Sequence, residues 1–410
     1  MTETIPAPER KNIVLAITGS IAAYKGCELA RLLISRGYNV RAVMTDAAQK
    51  FVGMESLQAI TGNPVMVSLW DEQEVTHMGH IQLADWADGI VIAPATADAI
   101  AKLAAGFADT ALHAVALASR APVLVCPAMN VNMLEHPATQ ENFEILRKRG
   151  VAFVEPEEGA LACGWNGAGR LASPEEIFFH VRKLLSVQDF AGKRVLITTG
   201  ATREFIDPVR FITNRSSGKM GVALAREAFR RGAHVTLVHG AIASRIPASV
   251  ETVPVVNAAQ MHEVVVSRLQ REEERPDIVI MAAAVADFKP VSVSSEKLKR
   301  SKGTALNPIA VEANPDILAE IGALRGDAKR PLLIGFAVET GDVEQLLVEA
   351  QRKLAVKHAD MIVANLADEA FDLDTNRVWL VDSRGASQEV STTFKSRIAQ
   401  KILDAVQKLE

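Results

Sequence analysis

Cysteine is scarce in this chain. Of 410 residues only Cys27, Cys126 and Cys163 carry thiols, too few for a disulfide framework and without the C-x-x-C spacing of a structural zinc site. A reducing compartment, the cytoplasm, is the expectation. Aromatic residues make up 5% and the formal net charge is −4. No concentrated basic face is therefore expected for nucleic acid or a membrane surface. The N-terminus has no apolar signal core, and the apolar stretch from Leu112 to Met129 is broken by Arg120 and Pro122, which argues against export and a membrane span. Two glycine signatures are missing as well. Neither half has a complete G-x-G-x-x-G, which argues against a nicotinamide oxidoreductase. The Gly218-Lys219 pair lacks the earlier glycine of a Walker A loop, since that position is Thr213.

What is present is α/β patterning. Apolar residues are 49% of the chain, and the length exceeds what one core usually serves, so two domains of about 200 residues are expected. Asn12 to Gly19 is a buried-strand pattern followed by a helical stretch to Gly37 and a second strand at Val40 to Met44. Arg194 to Gly200, a helix from Gly218 to Arg231 and a strand at Ala233 to Val238 repeat that plan. Gly37 and Gly232 stand just past the two helix ends, where a left-handed cap is wanted. Such likeness fits internal duplication and equally fits two unrelated α/β domains. Further strands are expected at Gly89 to Ala93, Val123 to Cys126, Val151 to Val154, Ile278 to Ala282, Leu332 to Phe336, Met361 to Ala364 and Val378 to Val381. The boundary falls between Leu185 and Lys193, giving domains 1–190 and 191–410. Ligands are expected at the carboxyl ends of the strands.

In the first half, Gly19 and Ser20 follow the first strand and can meet a phosphate at the helix start, as for a mononucleotide such as FMN. A plain strand-to-helix turn reads the same way. Pro94, Thr96 and Asp98 lie in a second strand-end loop and are expected, with Gly19 and Ser20, to bind FMN, Asp98 being also readable as only a helix cap. His80 stands beside Gly79, and Asn130 lies just beyond a buried strand, where an amide can bind a carboxylate without adding charge. Cys126 reads as core. Cys163 sits among four glycines in the twelve residues Gly159 to Arg170, a pattern for a mobile lid carrying a thiol able to act as an acid.

In the second half, Gly200 to Glu204, Asp207 to Arg210 and Asn214 to Gly221 form one long polar loop between strand and helix. Backbone N–H groups at that helix start suit an anion. Small residues Ala282 to Ala284 end a strand and allow close ligand approach, with Asp287 and the cations Lys297 to Arg300 soon after. With Asn314 to Ile317, a nucleoside triphosphate with Mg2+ fits this set. Lys353 and Lys357 are four apart and share one helix face.

The motifs Gly19 to Lys25, Met78 to Ile81, Pro94 to Asp98, Pro127 to Asn130 and Ala162 to Arg170 together resemble the flavin-containing cysteine decarboxylases. The second half resembles phosphopantothenate-cysteine ligases. The whole chain, in this order, resembles the bacterial bifunctional coenzyme A biosynthesis family. The resemblance implies a flavodoxin-like FMN-binding domain followed by a Rossmann-like, CTP-using ligase domain. It also implies 4'-phosphopantothenate and cysteine as substrates, joined through an acyl-cytidylate, with product decarboxylation through a thioaldehyde. The oligomer it implies has trimeric decarboxylase and dimeric ligase units, a dodecamer overall. Carried over by resemblance, His80 is the base, Asn130 holds the leaving carboxylate and Cys163 protonates the enethiolate. Arg210 and Asn214 handle the acyl-cytidylate. CTP contacts fall to Ala283, Ala284, Asp287, Lys297, Asn314, Pro315, Asp316, Ile317, Phe336, Lys353 and Lys357, with Mg2+ held mainly through the CTP phosphates and Asp287 its candidate protein ligand. The chain departs from the family pattern at Arg300, at Leu366 and in the loop Ala370 to Asn376. A second reading is a flavin-fold regulatory protein without catalysis.

Overall fold

The computed structural model describes residues 10–70, 79–160, 164–298, 308–367 and 373–410. The chain divides into two compact units, Met1–Ser186 and Val187–Glu410.

In the first unit the strands are β1 (Asn12–Ile17), β2 (Asn39–Met44), β3 (Val65–Met66), β4 (Gly89–Ala95), β5 (Val123–Pro127) and β6 (Ala152–Phe153). They form one parallel sheet in the order β3-β2-β1-β4-β5-β6. Without the two-residue edge strand β3, the remaining order is that of a flavodoxin-like sheet. Strands buried on both faces read as continuous apolar runs. Ile13, Leu15 and Ile17 of β1 accordingly pack in one core cluster, and Val14 and Ala16 in another. Burying each larger aliphatic chain is worth roughly 1.5–3 kcal/mol. A hairpin, β7 (Glu157–Ala160) with β8 (Asn166–Arg170), stands outside this sheet.

The second unit has β9 (Arg194–Thr199), β10 (Glu204–Phe205), β11 (Phe211–Ile212), β12 (His234–His239), β13 (Glu251–Pro254), β14 (Ile278–Met281), β15 (Phe288–Pro290) and β16 (Val311–Ala313). It continues with β17 (Leu332–Glu339), β18 (Met361–Leu366), β19 (Thr375–Asp382) and β20 (Ser387–Phe394). Its main sheet runs β13-β12-β9-β14-β17-β18-β19-β20, parallel as far as β18 and antiparallel beyond it. Its six parallel strands repeat the first unit's 3-2-1-4-5-6 order, the Rossmann arrangement. Gly37 and Gly232 have φ of 90° and 98°, the left-handed values expected of them. In both units the order reverses beside the first strand, so a crevice opens at the carboxyl ends of β1/β4 and of β9/β14. The segment entering the second sheet belongs to the second unit. There Phe190 is buried under the Arg231 guanidinium, which also binds Asp189 and Asp404.

Candidate functional site

Two sites sit at those two crevices. In the first unit, Ser20 caps a short 3-10 turn by accepting the Ala22 N–H at 3.3 Å, and helix α1 (Tyr24–Ser35) follows. Thr18 Oγ1 donates to the Pro94 carbonyl at 2.8 Å and accepts the Thr96 N–H at 3.0 Å, tying the two strand-end loops together. Thr96, and not Asp98, caps α2 (Ala97–Ala105), through the Ala99 N–H at 3.3 Å. The Asp98 carboxylate instead points to solvent and pairs with Lys102 at 3.5 Å. A cavity of about 540 Å³ opens over these turns, within the range of about 300–1,000 Å³ usual for small-molecule sites. Gly19, Ser20, Thr96, Asn130 and Arg170 line it, with apolar Ile21, Tyr24 and Met133 alongside.

Asn130 caps the next short helix through the Asn132 N–H, at 2.9 Å. The hairpin comes close beneath it. A Cβ on Gly169 would lie 2.1 Å from the Met129 carbonyl oxygen, and its φ is +139°, so only glycine fits without displacing the Asn130 turn. Pro94 and Asp98 are not among the cavity-lining residues, and neither is His80. His80 lies at the start of α3 (Gly79–Trp86) and is half-buried. Cys163 falls outside the described residues. Cys126 is fully buried, and burial pushes its thiol far above the ordinary value, in line with a core role.

In the second unit, Ala282 to Ala286 leave β14 as an irregular ledge. Thr198 Oγ1 receives the Ala283 N–H at 3.2 Å, the Gly200 carbonyl the Ala284 N–H at 2.8 Å, and Thr202 Oγ1 the Ala286 N–H at 2.9 Å. Asn314 closes the ledge from the far side, its N–H on the Asp287 carbonyl and its Nδ2 on the Ala286 carbonyl, both at 2.8 Å. Its Oδ1 is buried with no partner among the described residues. Asn214 Nδ2 donates to the Val285 carbonyl at 2.9 Å. The resulting cavity measures about 710 Å³. Ala283, Ala284, Asp287, Asn314, Pro315, Asp316, Ile317, Phe336, Lys353, Lys357 and Asn214 all line it. Lys353 rests against Glu339 at 2.5 Å and Lys357 against Asp316 at 3.1 Å, so each cation is held at the cavity wall.

Arg210 and Lys297 are not in that lining. Arg210 spends its Nε and Nη2 on Asp207, at 2.9 and 2.6 Å. Lys297 is exposed. Burial alone would raise the Asp207 carboxyl, but the Arg210 side chain and the N–H groups of Val209, Arg210 and Leu298 outweigh it and hold it well below the carboxylate range.

At the start of α4 (Lys219–Arg230), the helix start expected to suit an anion, lies a smaller cavity of about 150 Å³, several of whose lining residues sequence reasoning missed. It shares Arg215, Ala283, Ala284 and Phe336 with the larger one and adds Ser216, Ser217, Asn365, Asn376 and Lys395. Gly218 begins that helix at φ 71° with no side-chain cap, and a helix start carries the positive end of the macrodipole, which suits an anion. Gly221 lets the helix sit close, since a Cβ there would lie 2.2 Å from Thr199 Oγ1. Lys219, at the helix start, pairs with Asp374 at 2.7 Å. Asn365 was findable, as a polar residue ending an apolar strand. Asn376 and Lys395 had no local signal, because antiparallel strands far along the chain bring them in.

A family model described as "Flavoprotein" matches residues 3–186, and one described as "DNA/pantothenate metabolism flavoprotein C-terminal domain" matches residues 190–409. The coenzyme A biosynthesis bifunctional protein CoaBC of Vibrio cholerae is 43% identical over 399 residues, covering 97% of this chain and 98% of that protein. The chain belongs to the bifunctional coenzyme A biosynthesis family. Its counterpart in Bacillus subtilis is 42% identical over 403 residues, covering 97% of this chain and 96% of that one. A crystal structure of the C-terminal domain of a CoaBC shares 40% identity, covering 54% of this chain and 97% of that chain at a TM-score of 0.45. As a member of this family the chain is a bifunctional enzyme, carrying a ligase and a flavoprotein decarboxylase for two consecutive steps of coenzyme A biosynthesis. Loss of catalysis in favour of a regulatory role is not favoured, since both units match the bifunctional relatives.

Proposed function

We propose that the second unit joins 4'-phosphopantothenate to cysteine at the expense of CTP, and that the first decarboxylates the product with FMN. One observation carries the ligase reading: ten residues assigned to CTP by resemblance, from Ala283 to Lys357, line a single cavity. In it the substrate carboxylate attacks the α-phosphate of CTP, pyrophosphate leaves, and the cysteine amine then displaces CMP from the acyl-cytidylate. Two anions must meet, so cations have to neutralise the reacting phosphate. Lys353 and Lys357 exchange their carboxylate partners for phosphate oxygens, and Lys297 joins them from its exposed segment. Asn214 faces the activated acyl group, and Arg210, outside the cavity lining, serves the acyl-cytidylate indirectly through the segment its guanidinium holds. The smaller cavity extends the site toward a second phosphate. Mg2+ enters on the nucleotide phosphates, with Asp287 at the rim.

In the first unit, Gly19, Ser20 and Thr96 hold the FMN phosphate and ring edge at two helix starts, with Pro94 and Asp98 supporting the second loop. The flavin, when bound, accepts and returns the two electrons that make decarboxylation feasible. Asn130 holds the leaving carboxylate, Cys163 gives the proton to the enethiolate, and His80 acts as base from a second copy of the chain. That last role needs an assembly of several copies. Ile21, Tyr24 and Met133 are left exposed around the first cavity, as are Phe288, Val291, Val293, Ile309 and Val311 around β15 and β16. Trimeric decarboxylase and dimeric ligase units, combined as a dodecamer, would cover them. No helix among the described residues is long and apolar enough to cross a membrane, and a cytoplasmic enzyme fits its soluble substrates.

Purified chain given 4'-phosphopantothenate, cysteine and CTP should release CMP only when cysteine is present. ATP in place of CTP should support little turnover. Equal use of ATP, or CMP formation independent of cysteine, would refute the ligase reading.

A further inference from the structure

Asp207 has no exposed surface, lines neither ligase cavity, and still receives a dense set of hydrogen bonds. Its Oδ1 accepts the N–H groups of Val209 and Arg210, each at 2.8 Å. Its Oδ2 accepts Arg210 Nε and Nη2, at 2.9 and 2.6 Å, and the Leu298 N–H at 3.2 Å. That last N–H belongs to the peptide joining Lys297 to Leu298. Arg210 Nη2 also donates to the Leu298 carbonyl at 2.6 Å, and the Ser294 N–H donates to the Ile206 carbonyl at 3.0 Å. Segment 294–298 lies in no helix or strand. Its place is therefore set largely by the turn 206–210, which grips both polar groups of Leu298.

We propose that Asp207, together with Arg210, is a positioning residue for Lys297: the pair clamps the Lys297–Leu298 peptide so that the ammonium reaches the nucleotide phosphates during ligation. The inference rests on the assignment of Lys297 to those phosphates. A flexible lysine on an unanchored segment samples many positions, and misplacing a charge by about 1 Å can cost about 100-fold in rate. The Asp207 and Arg210 side chains thus reach the chemistry through a backbone peptide that neither of them shares with the substrate.

The test uses Asp207→Asn in the full chain. The amide keeps an oxygen for the Val209 and Arg210 N–H groups, so the turn survives. Its NH2 then faces the Arg210 guanidinium and the Leu298 N–H, donor against donor, and the clamp opens. Pyrophosphate release from CTP in the presence of 4'-phosphopantothenate should fall about 100-fold. In a Lys297→Gln background the same change should cost no more than about twofold, the scatter of independent pairs. Hydrogen exchange should quicken in the peptide spanning 294–298 while strand β14 keeps its protection, a result that also decides the matter if the double variant is too slow to assay. An equal loss in both backgrounds, or protection lost uniformly across the unit, overturns the proposal. Full activity in Lys297→Gln alone would instead refute the underlying assignment of Lys297.

Discussion

The two crevices share a topology and differ in what they gather. The ligase crevice collects paired charges: Lys353 and Lys357 stand at its larger cavity beside Glu339 and Asp316, and Lys219 and Lys395 at its smaller one. The flavin crevice has Lys25 and Arg170 in its lining, among apolar Ile21, Tyr24 and Met133. The difference follows the chemistry. On the proposed function, joining two anions at a nucleotide would call on those lysines, whereas holding a flavin ring and a thiol substrate would call on apolar surface and a few dipoles. The same strand order therefore fixes only where a ligand lies, and the residues that follow each strand decide which ligand it is.

Five changes would break or sharpen this contrast, taken from the largest expected effect downward. Cys163→Ser should retain bound flavin and still evolve carbon dioxide, while formation of the reduced pantetheine product drops by about 10²–10⁴, the usual worth of a positioned proton donor. Product assays against carbon dioxide release check this, and full turnover would remove the thiol from the mechanism. Next come two matched glycine changes. Gly221→Ala drives a methyl into Thr199 and should abolish most ligation while leaving flavin content intact. Gly169→Ala drives one into the Met129 carbonyl and should do the reverse, each at roughly 1–3 kcal/mol or more of local strain. Flavin absorbance and CMP release, measured on both proteins, would show whether the two sites fail independently.

A smaller effect is expected from Lys353→Met. Losing one charge-assisted contact, about 1.5–3 kcal/mol, should raise KM for CTP by about 10–100-fold with less change in kcat. Steady-state kinetics at varied CTP decide it, an unchanged KM placing the lysine outside the nucleotide site. The smallest effect is on stability against pH. Because the Asp207 carboxyl is depressed in the folded unit, its contribution is complete above the unfolded value of about 3.9 and is lost as pH falls through the folded one. Thermal unfolding of the second unit should thus weaken below about pH 4, and less steeply in Asp207→Asn.

Most parallel strands were readable because they are apolar runs ended by turn residues, as at Ile278 to Met281; the edge strands β3 and β13 were not, the one being two residues long and the other Glu251-Thr-Val-Pro. Three antiparallel pairs were not: β10–β11 and β15–β16 are only two or three residues long per strand, and β7–β8 is rich in polar residues and glycine. Site residues that follow strands directly, such as Ser20 and Ala283, were legible for the same reason. Asn376 and Lys395 were not, since only the antiparallel extension folds them back onto the helix start. Asp98 misled because its type suits a cap, while Thr96 already occupied that position.

The central claim is that one chain performs both reactions in succession, and a single balance tests it. Purified protein supplied with isotopically labelled cysteine, 4'-phosphopantothenate and CTP should yield carbon dioxide and CMP in equal amounts, together with labelled 4'-phosphopantetheine. When CTP is withheld but 4'-phosphopantothenoylcysteine is supplied, carbon dioxide should still appear. Accumulation of 4'-phosphopantothenoylcysteine with no carbon dioxide, or carbon dioxide release with no CMP in the complete mixture, would contradict the account.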